Sequence, residues 1–377
     1  MRSAIIMAGG QSLRMRATLG REHKALVKVL GVPTLERNLL ALLSHGFREI
    51  FLAVNAKEES VLAFAKGRAA PLARTCKAEL KLIVEKHPLG TMGAAAKVRT
   101  TSEDLVVVNV DNLTTLDLTA FLKHHRSTKA AMTIATHTEP FKVPFGQVWI
   151  KRGRITRYQE KPILPVLLSS GTYVLNKSAM SRIPLGRAVG APEVVNMLLG
   201  QGHKIAAFEH SFPWIDVNDS ASVRRAEELI MANFKGFELW RKSPQRHVAI
   251  VCVLHNGAVA VPRKGSGFPA AVGGLPAVEL SKGECPEEAV IRCSHSGSTC
   301  AKSGRVLVSF DEIDTRTGER TRYHVVLAEP TKCCRNGNWA FQWTQINDLS
   351  MLSDSHGNCR ILSYLNRYAS NSHSVGH

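Results

Sequence analysis

Short apolar runs alternate with amphipathic stretches along the first 236 residues, an order that predicts strands and helices in turn. Residues 4–7, AIIM, read as a buried first strand running into Gly9-Gly10. TLERNLLALLSHG places Leu35, Leu39, Leu42 and Leu43 on one helical face and stops at Gly46, a natural C-terminal cap. EIFLAVN and ELKLIVE read as buried strands, and DLVVVNVDN as a central one ending in Asp111. This is the grammar of a doubly wound sheet, whose ligands sit at the carboxyl ends of the strands. Further on, FGQVWIKRGRITRYQEKP predicts a hairpin turning at residues 151–153, and DSASVRRAEELIMANF a helix capped by Asp219.

The pattern then changes. Gly236, Pro244 and several charges mark residues 237–246 as a linker. HVAIVCVLHNGAVAVPRK reads as two strands around an Asn-Gly turn, and PEEAVIRCSHSG as a short amphipathic helix. The expected organisation is a first domain over 1–236, a smaller α+β domain over 247–370, and a polar, disordered tail over 371–377.

Composition narrows the function classes. A chain of 377 residues with 44% hydrophobic content can bury two cores. No apolar run of 18 residues and no secretory leader pattern is present, so a cytoplasmic protein without a membrane span is expected. The eight cysteines form no CxxC pair and read as reduced thiols. Cys293, His295 and Cys300, like Cys333, Cys334, His356 and Cys359, lack metal-site spacing. The net charge of +18 is uneven: residues 1–236 carry +14 and residues 237–377 carry +4. Such a field attracts anionic substrates. The basic residues are scattered without interleaved aromatics, which argues against nucleic acid.

Two kinds of residue suggest chemistry. Gly9-Gly10 after a strand lets the backbone turn sharply and offer N–H groups to a polyphosphate, although an ordinary loop has the same sequence. Asp111 ends an apolar strand and Asp216, in FPWIDVND, follows another apolar stretch. Each alone reads equally as a turn or cap residue. Two such carboxylates converging on one site would suit Mg²⁺, which takes one or two carboxylates plus phosphate oxygens.

Taken together and in order, the motifs of residues 1–232 resemble the sugar-1-phosphate nucleotidyltransferases, whose fold is a GT-A, Rossmann-like α/β sheet, mixed but mostly parallel and sandwiched by helices. MAGGQSLRM is similar to the opening glycine-rich loop, HKALVKVLGVPTLE to the Pro-Lys segment and PLGTMGAA to the base-side loop. VVNVDN resembles the first metal segment, FGQV the Tyr-Gly-Val strand, YQEKP the sugar site, SSGTYVL the Asn-Ala-Gly strand and WIDVND the second metal segment. The resemblance implies transfer of a nucleotidyl group from a nucleoside triphosphate to a sugar-1-phosphate, with pyrophosphate released and Mg²⁺ as cofactor. It implies Ala8, Gly9, Gly10, Gln11, Gly90 and Gly93 at the nucleotide, and Arg14 and Lys24 on the triphosphate. It further implies Asp111 and Asp216 at the metal, and Gly146, Glu160, Lys161 and Gly171 at the sugar phosphate. His23 stands where the family has proline, which should loosen the backbone there; Val110 and Asn218 replace glycines. Ser12 and Leu13 also depart from the usual loop, in a form resembling the molybdenum-cofactor nucleotidyltransferases. Base, sugar and homo-oligomeric state stay open. The rival reading is a binding protein, either a nucleotide-sugar sensor or a basic RNA module.

The C-terminal region resembles a Nudix domain more loosely. A working Nudix box needs glutamates one, four and five residues after its arginine, to gather Mg²⁺ at a pyrophosphate. After Arg292 those places hold Cys293, Ser296 and Gly297. A noncatalytic Nudix-like domain is therefore expected.

Overall fold

The computed structural model describes residues 1–10, 23–240, 244–255, 258–262, 270–272, 275–295, 301–330, 341–346 and 356–373. Of these, 1–10, 47–59 and 81–216 make one compact unit, and 23–46, 60–80 and 217 onward make a second. Among the described residues no helix is long and apolar enough to cross a membrane.

The first unit is built on strands β1 (Ser3–Ala8), β2 (Glu49–Asn55), β3 (Glu79–Glu85), β4 (Asp104–Asn109), β5 (Asn112–Thr114), β6 (Met132–Lys142), β7 (Gln147–Lys151), β8 (Arg154–Gln159), β9 (Ile163–Asn176), β10 (Ile205–Glu209) and β11 (Trp214–Asp216). Seven form one sheet in the order β10-β6-β9-β4-β1-β2-β3. β1 runs parallel to β2 and β4, β10 runs parallel to β6, and β9 is antiparallel to β4 and β6. The expected α/β class and its parallel centre are present. β1, β2 and most of β4 are buried on both faces, which is why they read as continuous apolar runs. β3 differs from expectation. It is an edge strand, and its first six residues are exposed or only half-buried. Ile5, Met7, Val107, Tyr173 and Leu175 join Leu89, Met92 and Val194 in the core of this unit.

In the second unit the helix Thr34–Ser44 buries the predicted leucines, and Gly46 follows it with φ +77°. Asp219 caps the helix Ser220–Ala232, its Oδ1 accepting Ser222 N–H at 2.6 Å. Strands β12 (Arg246–His255), β13 (Ala258–Pro262), β14 (Ala270–Val272), β15 (Leu275–Glu279), β16 (Ala301–Ile313), β17 (Arg320–Pro330) and β18 (Phe341–Gln345) form a second sheet, with the helix Pro286–His295 as predicted. Its core holds Ala249, Val251, Val253, Val290 and Val326.

The stretch expected as a linker takes part in this unit's interior. Glu238 ends the short helix Phe234–Glu238 and its side chain is 1% exposed. It accepts from Arg37 Nη1 at 2.8 Å, from Tyr364 Oη at 2.6 Å and from Arg360 Nη2. Arg360 also donates to Asp311 O at 3.1 Å and lies 4.2 Å over the Phe310 ring. Burial pulls its pKa down to about 10. A buried charge needs partners of this kind. The network explains why residues 23–46, read from sequence as part of the first domain, pack in the same compact unit as residues beyond 217. The helix His356–His373 also carries order into the stretch expected as a disordered tail; residues 374–377 lie outside the described residues.

Candidate active site

Register places the site residues of the first unit along one edge of its sheet. Met7 of β1 stands opposite Asn109 of β4, and Val108 opposite Thr172 of antiparallel β9. The carboxyl end of β4 therefore lies between that of β1 and the Ser170–Gly171 segment of β9. Gly9 follows β1, Asp111 follows β4 and Glu85 closes β3.

A short ladder brings the backbones of the two candidate metal acids close together. β5 pairs antiparallel with β11, Asn112 opposite Asp216 and Thr114 opposite Trp214. Asp111 precedes Asn112, so acids 105 positions apart in the sequence lie within one residue of a shared rung. The carbonyl of Ser170 fixes this ladder to β9 by accepting Asn112 Nδ2 at 2.5 Å and Trp214 Nε1 at 2.8 Å. Gly171, with φ +73°, is required beside it: a Cβ there would stand 2.0 Å from Asn112 Nδ2. On its other side the Trp214 ring packs on His137, centroids 4.0 Å apart. Among the described residues no group of three or more His, Cys, Asp or Glu forms a metal cage. Two acids at a strand end match what Mg²⁺ asks when phosphate oxygens complete its shell.

Glu85 is the residue that sequence reasoning missed. Glu85 is 1% exposed; its Oε2 accepts Leu89 N–H at 3.0 Å, while Oε1 is buried with no donor among the described residues. It lies against bare Gly9, where a Cβ would be 2.3 Å from Oε2. Burial raises its pKa. The signal was an acid closing the apolar run ELKLIVE immediately before the PLGT loop. Gly90 and Gly93 each have a local cause: Gly90 has φ +72° and lies on the Val189 backbone, and a Cβ at Gly93 would be 2.8 Å from Arg187 O.

The remaining predicted residues fall elsewhere. Gln11 and Arg14 lie outside the described residues, as do Ser12 and Leu13. Ala8 is buried and Gly10 exposed. Lys24 belongs to the second unit, where its carbonyl accepts Thr34 Oγ1 at 2.6 Å. The backbone there is held rather than loosened, because His23 Nδ1 accepts Ala25 N–H at 3.1 Å and His23 O accepts Leu26 N–H at 2.8 Å. Gly146, Glu160 and Lys161 form their own group on the β7–β8 hairpin. Tyr158 Oη donates to Glu160 Oε2 at 2.7 Å and fills the space a Cβ at Gly146 would need. Glu160 and Lys161 are separated from Gly171 by the ladder from Ile163 to Leu168, about 20 Å at strand rise. A register break between Ser169 and Tyr173 lies at the root of this ribbon, and such irregularities bend strands.

Residues 3–233 match the Nucleotidyl transferase family. The chain is 28% identical over 236 residues to the mannose-1-phosphate guanylyltransferase of Mycobacterium tuberculosis, covering 60% of this chain and 64% of that one. It is 27% identical to the UTP–glucose-1-phosphate uridylyltransferase of Synechocystis, covering 57% and 59%. The chain thus spans less than two thirds of either relative. Among solved structures, HddC from Yersinia pseudotuberculosis aligns over 60% of this chain and 99% of its own, with 22% identity and a TM-score of 0.48.

Proposed function

The chain belongs to the nucleotidyl transferase family, and from that premise we propose that it condenses a nucleoside triphosphate with a sugar-1-phosphate, yielding a nucleotide sugar and pyrophosphate. The observation that carries this reading is the β5–β11 ladder, whose Asn112–Asp216 rung holds the backbone of Asp216 within one residue of Asp111, at the end of the sheet where Gly9 also stands. A phosphate oxygen of the sugar-1-phosphate attacks the α-phosphorus, the bond from that phosphorus to the β-phosphate bridging oxygen breaks, and pyrophosphate leaves. Little covalent work falls to the protein, so its task is positioning and charge neutralisation. Asp111 and Asp216 would hold Mg²⁺, which when bound offsets the triphosphate charge and favours departure of pyrophosphate. Gly171 leaves room for the Asn112 side chain, and Asn112 and Trp214 both donate to Ser170 O, which would hold this end of the sheet in place for the substrate. Glu160 would accept sugar hydroxyls and Lys161 would neutralise the sugar phosphate, both brought in by bending at the root of the β6–β9 ribbon.

Guanine is the base this reading favours. Its N1–H and N2–H are adjacent donors, and a buried carboxylate with an unfilled oxygen, as at Glu85, accepts such a pair. The guanylyltransferase name of the first relative supports the same choice. The residues after 247 are proposed as a noncatalytic Nudix-like appendage, since the acids of a working box are absent after Arg292 and that arginine is engaged by Glu284 at 2.7 Å. The reduced cysteines and the triphosphate substrate suit the cytoplasm.

The test is pyrophosphate release with GTP, ATP, CTP and UTP in turn, each with mannose- and glucose-1-phosphate. GTP preference that Glu85→Gln weakens about tenfold or more supports the guanine assignment. Activity with another triphosphate, unchanged in Glu85→Gln, overturns it while leaving the transferase reading intact.

A further inference from the structure

Strand β6 outruns its neighbour. β10 pairs with residues 132–136 of β6 and ends at Glu209, whereas β6 continues to Lys142, and the chain turns away through residues 210–213 toward β11. The step between the two strands opens a pocket of about 330 Å³ to which the transferase reading assigns nothing. His137 is the part of its wall that needs explaining. The residue is 6% exposed, its Nδ1 faces Glu139 Oε1 at 3.4 Å, and its Nε2 is buried with no hydrogen-bond partner among the described residues. The ring packs on Trp214, centroids 4.0 Å apart. Leaving a buried polar atom unpaired costs about 1–3 kcal/mol, so such an atom in the wall of a pocket points to a ligand. The Glu139 carboxylate favours the proton on Nδ1, which makes Nε2 an acceptor. Around it Glu139 and Glu209 supply carboxylates, Thr138 and Ser211 supply hydroxyls, and Trp214 supplies an indole. Among the described residues no lysine or arginine lines the pocket, on a chain of net charge +18.

We propose that this pocket binds a single uncharged sugar ring, at a site distinct from the one that would take the sugar-1-phosphate. Two carboxylates without a neighbouring cation repel phosphate, which sets the pocket against triphosphates, sugar phosphates and nucleotide sugars alike. A sugar hydroxyl donates and accepts at once. It can donate to His137 Nε2 and to the carboxylates, and accept from Thr138 and Ser211, while the C–H face of the ring lies against apolar surface. A cationic amine would satisfy the carboxylates but offers those hydroxyls nothing to donate to. The volume stands at the small end of the roughly 300–1,000 Å³ of small-molecule sites, which suits one ring. This inference stands apart from the transferase reading: Glu160, Lys161 and Gly171 do not line the pocket, and binding there calls for neither triphosphate nor metal.

The experiment is a ligand-observed NMR titration of the full chain with the methyl glycosides of glucose, mannose and galactose, and separately with spermidine. It is run beside His137→Phe, Glu209→Gln and the double variant Glu160→Gln, Lys161→Ala. Phenylalanine keeps a ring against Trp214 and removes Nε2, and Glu209 is exposed, so the second pocket variant keeps the fold in any case. The expected result is saturable binding of at least one glycoside by the wild type and by the Glu160, Lys161 variant. His137→Phe and Glu209→Gln should each weaken it about tenfold or more, with circular dichroism unchanged. A wild type that binds none of the glycosides overturns the proposal, whether or not spermidine binds. So does binding that either folded pocket variant leaves unchanged, or binding that the Glu160, Lys161 variant loses, which would put the sugar at the substrate position instead.

Discussion

Replacing Glu238 with glutamine tests the buried network of the second unit by removing one charge and almost no volume. Three donors converge on this carboxylate: Arg37 Nη1, Arg360 Nη2 and Tyr364 Oη. Arg37 keeps two further bonds to Val29 O, from Nε at 3.1 Å and Nη2 at 2.6 Å, so it is the less exposed to loss. Arg360 keeps Asp311 O and the Phe310 ring but faces an amide NH₂, donor against donor, in place of an anion. Breaking a buried pair from one side costs about 3–5 kcal/mol, because the surviving cation stays out of water. In a unit of this size that is a fall of about 10 °C in Tm. The control is Glu279→Gln, the same chemical change at an exposed pair with Arg246, where about 0.5 kcal/mol or less is expected. The assay is thermal unfolding followed by circular dichroism, with hydrogen exchange across residues 356–365. If Glu238→Gln melts with the wild type, or no lower than Glu279→Gln, the network does not hold the unit together.

Other outcomes follow from single contacts. Gly90→Ala forces a Cβ to 2.5 Å from Val189 O at φ +72°, and should cost about 2 kcal/mol or more by denaturant unfolding. Trp214→Phe removes one neutral hydrogen bond to Ser170 O, worth ~1 kcal/mol, and should lower kcat several-fold with the fold intact; an unchanged rate means the Ser170 anchor is not used. His324, which meets Ser309 Oγ at 2.8 Å and His247 at 3.1 Å, has its pKa pulled down to about 4, first by burial and then by the neighbouring positive charge of His247 and Arg322. The unfolded chain therefore binds the proton first: stability is complete above about pH 6.5 and is lost as pH falls toward 4, by ~2 kcal/mol after discounting for partial solvent access. His324→Gln should flatten that part of the stability profile.

Much of the fold was legible where the first unit's central strands are buried on both faces and where helix caps of the second unit are local. AIIM, EIFLAVN and DLVVVN announce themselves as apolar runs, and Asp219 and Gly46 punctuate helices through their own side chain or freedom of φ. What was not legible depends on partners far away in the chain. ELKLIVE looks as apolar as its neighbours, yet only sheet order makes it an edge. Glu85 is an ordinary strand-end acid until Gly9 and Leu89 enclose it, and Glu238 is an ordinary linker charge until Arg37, Arg360 and Tyr364 arrive from up to 201 residues away. At the site, the glycine of SSGTYVL was visible but its cause was not: Gly171 is needed because Asn112 crosses it. His23 misled for the opposite reason, since its ring supplies by a hydrogen bond the local order that a proline supplies by its ring. The separation of Glu160 from Gly171 was equally invisible, because motif order carries no register.

The most direct test of the central claim is Mg²⁺-dependent pyrophosphate release by the full chain, beside Asp111→Asn and Asp216→Asn. If the β5–β11 ladder gathers the metal carboxylates, the wild type releases pyrophosphate only with a triphosphate, a sugar-1-phosphate and Mg²⁺ together, and each variant loses at least about 100-fold while its melting curve is kept. Folded variants that turn over at the wild-type rate, or a folded wild type that releases no pyrophosphate with any pairing of the common triphosphates and sugar-1-phosphates, would contradict the account.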